Sequence, residues 1–213
     1  MAFKGVIFDL DGVICFTDEY HYLAWKAMAD SIGVEFDRTI NNRLRGVSRM
    51  ASLDIILEKS TVSYTDEEKV ALATKKNDLY KEYLKQMSPK DLSDDVRNTL
   101  NALRANGHKL SIGSSSKNSP FILERIGLKG FFDAESDGNN ITNSKPDPEV
   151  FLKAAQFLGL EPKDCLVVED AVSGAEAGHR GGFKVACVGD ASEAGVGDYN
   201  MKSITELVEI AKG

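Results

Sequence analysis

Cysteine is scarce in this 213-residue chain: Cys15, Cys165 and Cys187 are widely spaced, odd in number and form no Cys-x-x-Cys pair. A disulfide framework and a thiolate zinc site are both excluded. Long apolar runs are missing too, since none approaches the ~18 residues of a membrane span. The opening run Met1-Ala2-Phe3-Lys4-Gly5-Val6-Ile7-Phe8-Asp9 lacks the charged leader, apolar stretch and small-residue cleavage site of a signal peptide. A cytoplasmic protein without a membrane partner is expected. Positive charge does not predominate either, with 26 Lys+Arg against 33 Asp+Glu and a net charge of −7. No basic run offers a footprint for nucleic acid, so no such partner is expected. Nothing marks an exposed apolar face, and a monomer is expected.

What is present suffices for a folded core. Hydrophobic residues make up 42% of the chain, enough to bury a substantial interior. At roughly 100–200 residues per domain, the length suits one large domain or one domain carrying an insertion. Short Val/Ile-rich runs recur before polar residues: Gly5–Phe8, Leu110–Gly113, Leu166–Val168 and Val185–Val188. Runs of this kind suit strands buried on both faces. Helical patterns lie between the later runs. Asp94 or Asp95 opens one with Val96, Leu100 and Leu103, closing at Gly107. Ser119-Pro120 and Asp147-Pro148 each read as an N-cap followed by proline at the first helical position. The second of these carries Phe151, Leu152, Ala155 and Leu158, and Ser203-x-x-Glu206 is a capping box near the end. The alternation predicts an α/β class with a doubly wound parallel sheet, helices on both faces.

Residues 16–88 break the rhythm. Tyr22, Trp25, Met28, Ala29 and Ile32 fall at helical spacing before Gly33; Ser48 can cap a helix burying Leu53, Ile56 and Leu57. Thr65-x-x-Glu68 is a capping box opening a stripe of Val70, Ala73, Asn77, Tyr80 and Leu84. The segment reads as an inserted all-helical cap, leaving residues 1–15 and 89–213 as the α/β core.

Ligands of an open parallel sheet bind beyond the carboxyl ends of its strands. Asp9 and Asp11 follow the first strand, Ser114 the second, and Glu169 with Asp170 the next. Four carboxylates in one crevice repel unless a cation neutralises them, and an all-oxygen set points to Mg²⁺. Asp9 can also attack phosphorus to give an acyl phosphate. Lys145, before Pro146, supplies positive charge for a phosphate, and Ser114 a hydrogen bond. Each piece alone also fits an ordinary turn, a solvated lysine or a helix N-terminus. Their shared position at strand ends gives the set its meaning.

Phe8-Asp9-Leu10-Asp11-Gly12-Val13, Ser114, Lys145-Pro146 and Glu169-Asp170 resemble, in order, the four motifs of the haloacid dehalogenase superfamily of phosphotransferases. The helical insert falls where that superfamily places a mobile cap. Four further stretches narrow the resemblance to its sugar phosphomutases. These are Thr17-Asp18-Glu19-Tyr20-His21 with Trp25; Arg45-Gly46-Val47-Ser48-Arg49 with Ser52; Lys76-Asn77; and Ser114-Ser115-Ser116-Lys117-Asn118. The resemblance implies that Asp9 is the nucleophile and Asp11 the general acid/base. Mg²⁺ would be held by the Asp9 side chain, the Asp11 backbone carbonyl and Asp170, with Glu169 beside it. Ser114 and Lys145 would hold the transferring phosphate. Arg49 would grip a second, non-reacting phosphate, assisted by Ser116, Lys117 and Asn118, since a guanidinium forks onto phosphate. Thr17, Gly46, Val47, Ser48, Ser52 and Asn77 would join the substrate-binding set. His21 and Lys76, also of the substrate-binding set, would sense or position Asp11, while Trp25, of that set too, and Leu44 would pack cap against core or sugar. The implied reaction interconverts β-D-glucose 1-phosphate and β-D-glucose 6-phosphate through β-D-glucose 1,6-bisphosphate, so the expected partners are small sugar phosphates.

The chain departs from relatives at Leu92-Ser93-Asp94-Asp95-Val96, where Pro-Gly is common, and at the bulky Phe16. Both positions concern the crossings between core and insert. Four alternatives stand beside this mutase: a sugar-phosphate phosphatase on the same scaffold, a mutase for phosphates of other sugars, a phospho-receiver module, and a degenerate binding protein. The receiver needs neither the insert nor Arg49. The joint presence of Asp9, Asp11, Ser114, Lys145 and Asp170 argues against the degenerate protein.

Overall fold

Four consecutive buried residues, Gly5–Phe8, make β1, the strand on which the sheet is built. A computed structural model describes residues 2–44 and 47–213. After β1 come α1 (Asp18–Asp30), α2 (Arg38–Asn42), α3 (Arg49–Leu57) and α4 (Asp66–Leu84). The chain continues with α5 (Asp94–Ala105), β2 (Lys109–Gly113), α6 (Ser119–Arg125), β3 (Ala134–Ser136) and α7 (Glu149–Leu158). It ends with β4 (Cys165–Glu169), α8 (Val172–Arg180), β5 (Lys184–Cys187), α9 (Gly189–Glu193), β6 (Tyr199–Asn200) and α10 (Leu207–Lys212). Two compact units result, Met1–Phe16 with Ser88–Gly213 and, separately, Thr17–Met87.

The first unit is a six-stranded sheet of order β3-β2-β1-β4-β5-β6, with every neighbouring pair parallel. The expected doubly wound α/β core is therefore present. Successive side chains of a strand face opposite sides. Ile7, Val167 and Val185 meet Phe151, Ala154 and Ala155 of α7 and Ala175 and Ala177 of α8 in one core cluster. Chain order reverses at β1, which lies between β2 and β4, so the carboxyl ends of β1 and β4 flank the crevice where such sheets hold ligands.

The second unit is helical, and no strand occurs among its described residues. Its core gathers Trp25, Met28 and Ala29 from α1, Leu53 and Ile56 from α3, and Ala73 from α4. Ser48 caps α3 by accepting the Ala51 amide at 3.3 Å. Thr65 and Glu68 make the reciprocal box of α4: Thr65 accepts the Glu68 amide at 3.3 Å, and Glu68 accepts the Thr65 amide at 2.8 Å.

Several local expectations need correction. Strands β3 and β6 were not anticipated: Ala-Glu-Ser and Tyr-Asn are too short and too polar to show a period. Helix α5 is capped by Ser93, whose side chain accepts the Val96 amide, and Asp94 and Asp95 sit in its first turn instead. Asn118, not Ser119, is the cap position of α6. Pro148 holds that position in α7, with Asp147 accepting the Glu149 amide at 2.9 Å from one residue earlier. The Ser203–Glu206 box opens a 3₁₀ turn that runs into α10. Val70 and Leu152 fall on the solvent side of their helices, 55% and 40% exposed, because the stripes they were assigned to are narrower than the spacing suggested. No helix among the described residues is long and apolar enough to cross a membrane.

Replacing Thr65 by alanine removes one half of the α4 box while leaving the helix sequence intact. Chemical denaturation should show a loss of about 1 kcal/mol, the usual worth of such a cap. An unchanged midpoint would mean that packing alone holds the start of α4.

Candidate active site

Asp9 follows β1, and Glu169 ends β4, the neighbouring strand, so their side chains leave the sheet side by side. Lys145, on the loop before α7, reaches between them. Its Nζ donates to Asp9 Oδ1 at 2.5 Å and, in a second short contact, to Glu169 Oε1. All three are nearly sealed from solvent, at 8% for Asp9, 7% for Lys145 and 1% for Glu169. Burial by itself would lower the lysine pKa, but the carboxylates of Asp9 and Glu169 hold it raised, so the ammonium stays charged. The Lys145 ammonium also lies 4.7 Å from the centre of the Phe151 ring, a favourable electrostatic contact.

Glu169 has little freedom. Its second oxygen accepts the Asp170 and Ala171 amides, each at 3.0 Å. Gly174 of α8 leaves the room for it: a Cβ there would lie 1.9 Å from Glu169 Oε1. Asp170 is crowded in the same manner. Gly12 has φ +90°, and a Cβ on it would come within 2.1 Å of Asp170 Oδ2. Here glycine is needed twice over, for the backbone conformation and for the space. The sequence marks Asp11-Gly12 as a turn, but nothing in it reveals the close approach of Asp170, or that of Gly174 to Glu169.

Oxygens of Asp9, Glu169 and Asp170 lie within 4.8 Å of one another. Burial first, then the charges of Asp9, Glu169 and Asp11, push the Asp170 carboxyl up to about 8. Glu169 is also raised by burial, against the pull of Lys145. Such crowded, oxygen-only donors suit a hard divalent cation, which would relieve the repulsion that keeps Asp170 protonated. Asp9 and Asp170 could hold such a cation, whereas both oxygens of Glu169 are already engaged by Lys145 and the Asp170 and Ala171 amides. The Asp11 carboxylate is outside the three-residue cluster; its residue forms a short bridge to Cys15. Burial, with Asp11 and Asp9 nearby, drives the Cys15 thiol well up, so it is inert.

Ser114, just past β2, is buried, and its Oγ accepts the Ser116 amide at 3.2 Å. Ser116 Oγ in turn accepts the Asn118 amide at 3.2 Å. Ser116, Lys117 and Asn118 thus occupy the β2–α6 loop of the same unit as the carboxylates.

The remaining candidate residues lie in the helical unit. Lys76 is buried, its Nζ 2.8 Å from His21 Nδ1 and 4.6 Å from the ring centres of Trp25 and Tyr80. A lysine ammonium only donates, so His21 Nδ1 accepts and its proton sits on Nε2. Burial, then the charges of Lys76 and Arg49, hold His21 well below the usual histidine range, hence neutral. Tyr80 stacks on His21 at 4.0 Å and donates its hydroxyl to Thr17 Oγ1 at 2.9 Å. The sequence pattern shows Tyr80 only as a stripe residue, not as the group that gathers this cluster. Arg49, the first residue of α3, donates to Asn77 Oδ1 at 2.8 Å. Ser52 is buried in the same helix, and Val47 and Ser48 precede it. Gly46 lies outside the described residues.

Comparison with known proteins agrees with this geometry. A family profile described as haloacid dehalogenase-like hydrolase matches residues 3–182. A Bacillus subtilis (strain 168) protein named β-phosphoglucomutase is 39% identical over 206 residues, covering 96% of this chain and 91% of its own. A Thermotoga maritima phosphorylated carbohydrates phosphatase is 29% identical, covering 85% of this chain and 82% of its own. Among solved structures, that of β-phosphoglucomutase from Clostridium difficile superposes with a TM-score of 0.90 at 35% identity, over 96% of this chain and 93% of that one. A match spanning residues 3–182 of the 213 places the chain in the haloacid dehalogenase-like hydrolase family. It is an enzyme of that family's sugar-phosphate phosphotransferase and phosphatase group.

Two outcomes follow from the crowding around Glu169 and Asp170. Gly174→Ala should cost about 1–3 kcal/mol, the usual penalty for overpacking, because Glu169 cannot retreat without losing Lys145 or two backbone amides; thermal unfolding would show it, and wild-type stability would mean that the carboxylate has slack. Asp170 must lose its proton to bind a cation. Apparent Mg²⁺ affinity should therefore climb as pH rises towards about 8 and level off above it. Calorimetric titration in buffers of different ionisation enthalpy checks this, and a flat profile would contradict it.

Proposed function

We propose that the enzyme is a Mg²⁺-dependent mutase that interconverts β-D-glucose 1-phosphate and β-D-glucose 6-phosphate. Support comes foremost from the buried Asp9 carboxylate, held by Lys145 at the end of β1. Such a group is shielded, oriented and next to a cation site, as a nucleophile towards phosphorus should be. The 39% identity to the Bacillus subtilis enzyme directs the choice of substrate.

In this reading the Asp9 carboxylate carries the phosphoryl group. Phosphorylated Asp9 donates it to the free hydroxyl of the sugar phosphate, while Asp11 takes the hydroxyl proton. The resulting β-D-glucose 1,6-bisphosphate turns round and returns its other phosphoryl group to Asp9. Asp11 then protonates the departing sugar oxygen, so that protons and phosphoryl groups balance over the cycle. Ser114 and Lys145 hold the transferring group, with Lys145 already charged in the free enzyme. Mg²⁺ on Asp9, Asp170 and the Asp11 carbonyl would neutralise charge on that group. Arg49 is given the second phosphate, with Ser116, Lys117 and Asn118. Its half-buried guanidinium is held by Asn77, which lessens the entropy lost on gripping an anion. His21 and Lys76 orient the acid/base, and Thr17, Trp25, Val47, Ser48, Ser52 and Asn77 shape the sugar side.

A sugar-phosphate phosphatase is the second reading, favoured by relatives such as the Thermotoga maritima protein. The two differ in whether water or a sugar hydroxyl takes the phosphoryl group from Asp9. A glucose 6-phosphate coupled assay with β-glucose 1-phosphate, Mg²⁺ and a trace of bisphosphate separates them. Isomerisation should far outpace phosphate release; equal rates would sink the mutase. Asp9→Ala should abolish both activities, and substantial residual turnover would mean a different nucleophile. Arg49→Ala should lower isomerisation roughly 10- to 100-fold, the worth of one charge-assisted contact. Phosphate release from several sugar phosphates, insensitive to that change, would favour the phosphatase.

A further inference from the structure

The Ser114–Asn118 loop does not hold its own shape. Beyond the hydrogen bonds within it, the end of β3 and the loop that follows grip its backbone at three points. Ser136 accepts the Ser114 amide through its carbonyl at 3.0 Å, as part of the β2–β3 edge. Two residues beyond the strand a different set begins. The Gly138 amide donates to the Ser116 carbonyl at 3.2 Å, and Asn139 Nδ2 donates to the Lys117 carbonyl at 3.1 Å. Asn139 is itself aimed by Asp137, which is 5% exposed. The two Asp137 oxygens accept the Asn139 amide at 2.8 Å and its Nδ2 at 3.2 Å.

Gly138 is also a spacer. A Cβ there would lie 2.5 Å from the Ser115 carbonyl oxygen and 2.8 Å from the Lys117 amide nitrogen. Both are backbone atoms, so any side chain at this position must push the loop itself away. The grip is uneven along the loop. Ser114 is fixed by the sheet edge, whereas the Ser116 and Lys117 carbonyls are held by Gly138 and Asn139, the Ser116 carbonyl with a further bond from Ser119 Oγ at 3.0 Å.

We propose that Gly138 and Asn139, backed by Asp137, are positioning residues that set the half of the loop serving the second, non-reacting phosphate, and leave the transferring phosphate's half alone. This rests on the mutase reading above, which gives Ser116, Lys117 and Asn118 that second phosphate. The two ends of one loop then serve two phosphates; the Ser116 amide on Ser114 Oγ joins them, but their outer anchors differ, the sheet edge for Ser114 and Gly138 with Asn139 for Ser116 and Lys117. Changing the Gly138–Asn139 support should weaken recognition of a ligand with two phosphates and spare reaction with a donor that has one.

The test uses the full-length enzyme, Gly138→Ala and Asn139→Ala, with two readouts. One is the KM for β-glucose 1,6-bisphosphate in the isomerisation assay. The other is the rate at which acetyl phosphate, a one-phosphate donor, phosphorylates Asp9. Asn139 is exposed, so its variant should fold even if Gly138→Ala does not. The KM should rise roughly tenfold for Asn139→Ala, the order expected from losing one hydrogen bond together with its alignment, and further for Gly138→Ala. Phosphorylation by acetyl phosphate should stay near the wild-type rate. An unchanged KM in folded Asn139→Ala overturns the proposal, as does an equal loss in both readouts, which would mark a general structural role. Absence of isomerisation by the wild type would instead overturn the mutase reading, and this inference with it.

Discussion

A single buried ammonium organises the active end of the sheet. Lys145 sits between Asp9 and Glu169, two carboxylates that could not share so dry a space without it. Removing charge from water is costly unless each ion is paired and hydrogen-bonded. The surroundings meet that demand one atom at a time: backbone amides on Glu169, the Phe151 ring under the ammonium, and glycines at 12 and 174 where any side chain would collide. Asp170 completes the group without relieving it, and burial first, then these neighbouring charges, push its carboxyl up to about 8. The site is built to be completed by a cation.

The helical unit uses its buried lysine differently. Lys76 faces the Trp25 and Tyr80 rings and the neutral His21. Positive charge is thereby concentrated near Arg49, whose influence already reaches His21. A region with this character suits anions, while the carboxylate cluster of the core suits a metal.

Legibility in the sequence followed the physics of each feature. Gly5–Phe8 and Cys165–Glu169 were visible because strands buried on both faces leave unbroken apolar runs. The strand-end carboxylates followed from that placement, and the family motifs from the carboxylates. Ala134–Ser136 was invisible, being three residues with polar character that gain strand geometry only by pairing with β2. Val70 misled because a helical stripe has an edge that spacing alone does not locate. Gly138, Asn139 and Gly174 have no readable signature, since what they approach is loop backbone or a carboxylate that only the folded turn brings near.

The central claim is that Asp9 becomes covalently phosphorylated. The direct measurement is mass spectrometry of peptides from enzyme treated with Mg²⁺ and a phosphoryl donor, quenched in acid where acyl phosphates survive best. The account predicts a phosphate on the peptide containing Asp9, lost on brief treatment with hydroxylamine. A phosphate on another residue, or steady turnover with Asp9 never labelled, would contradict it.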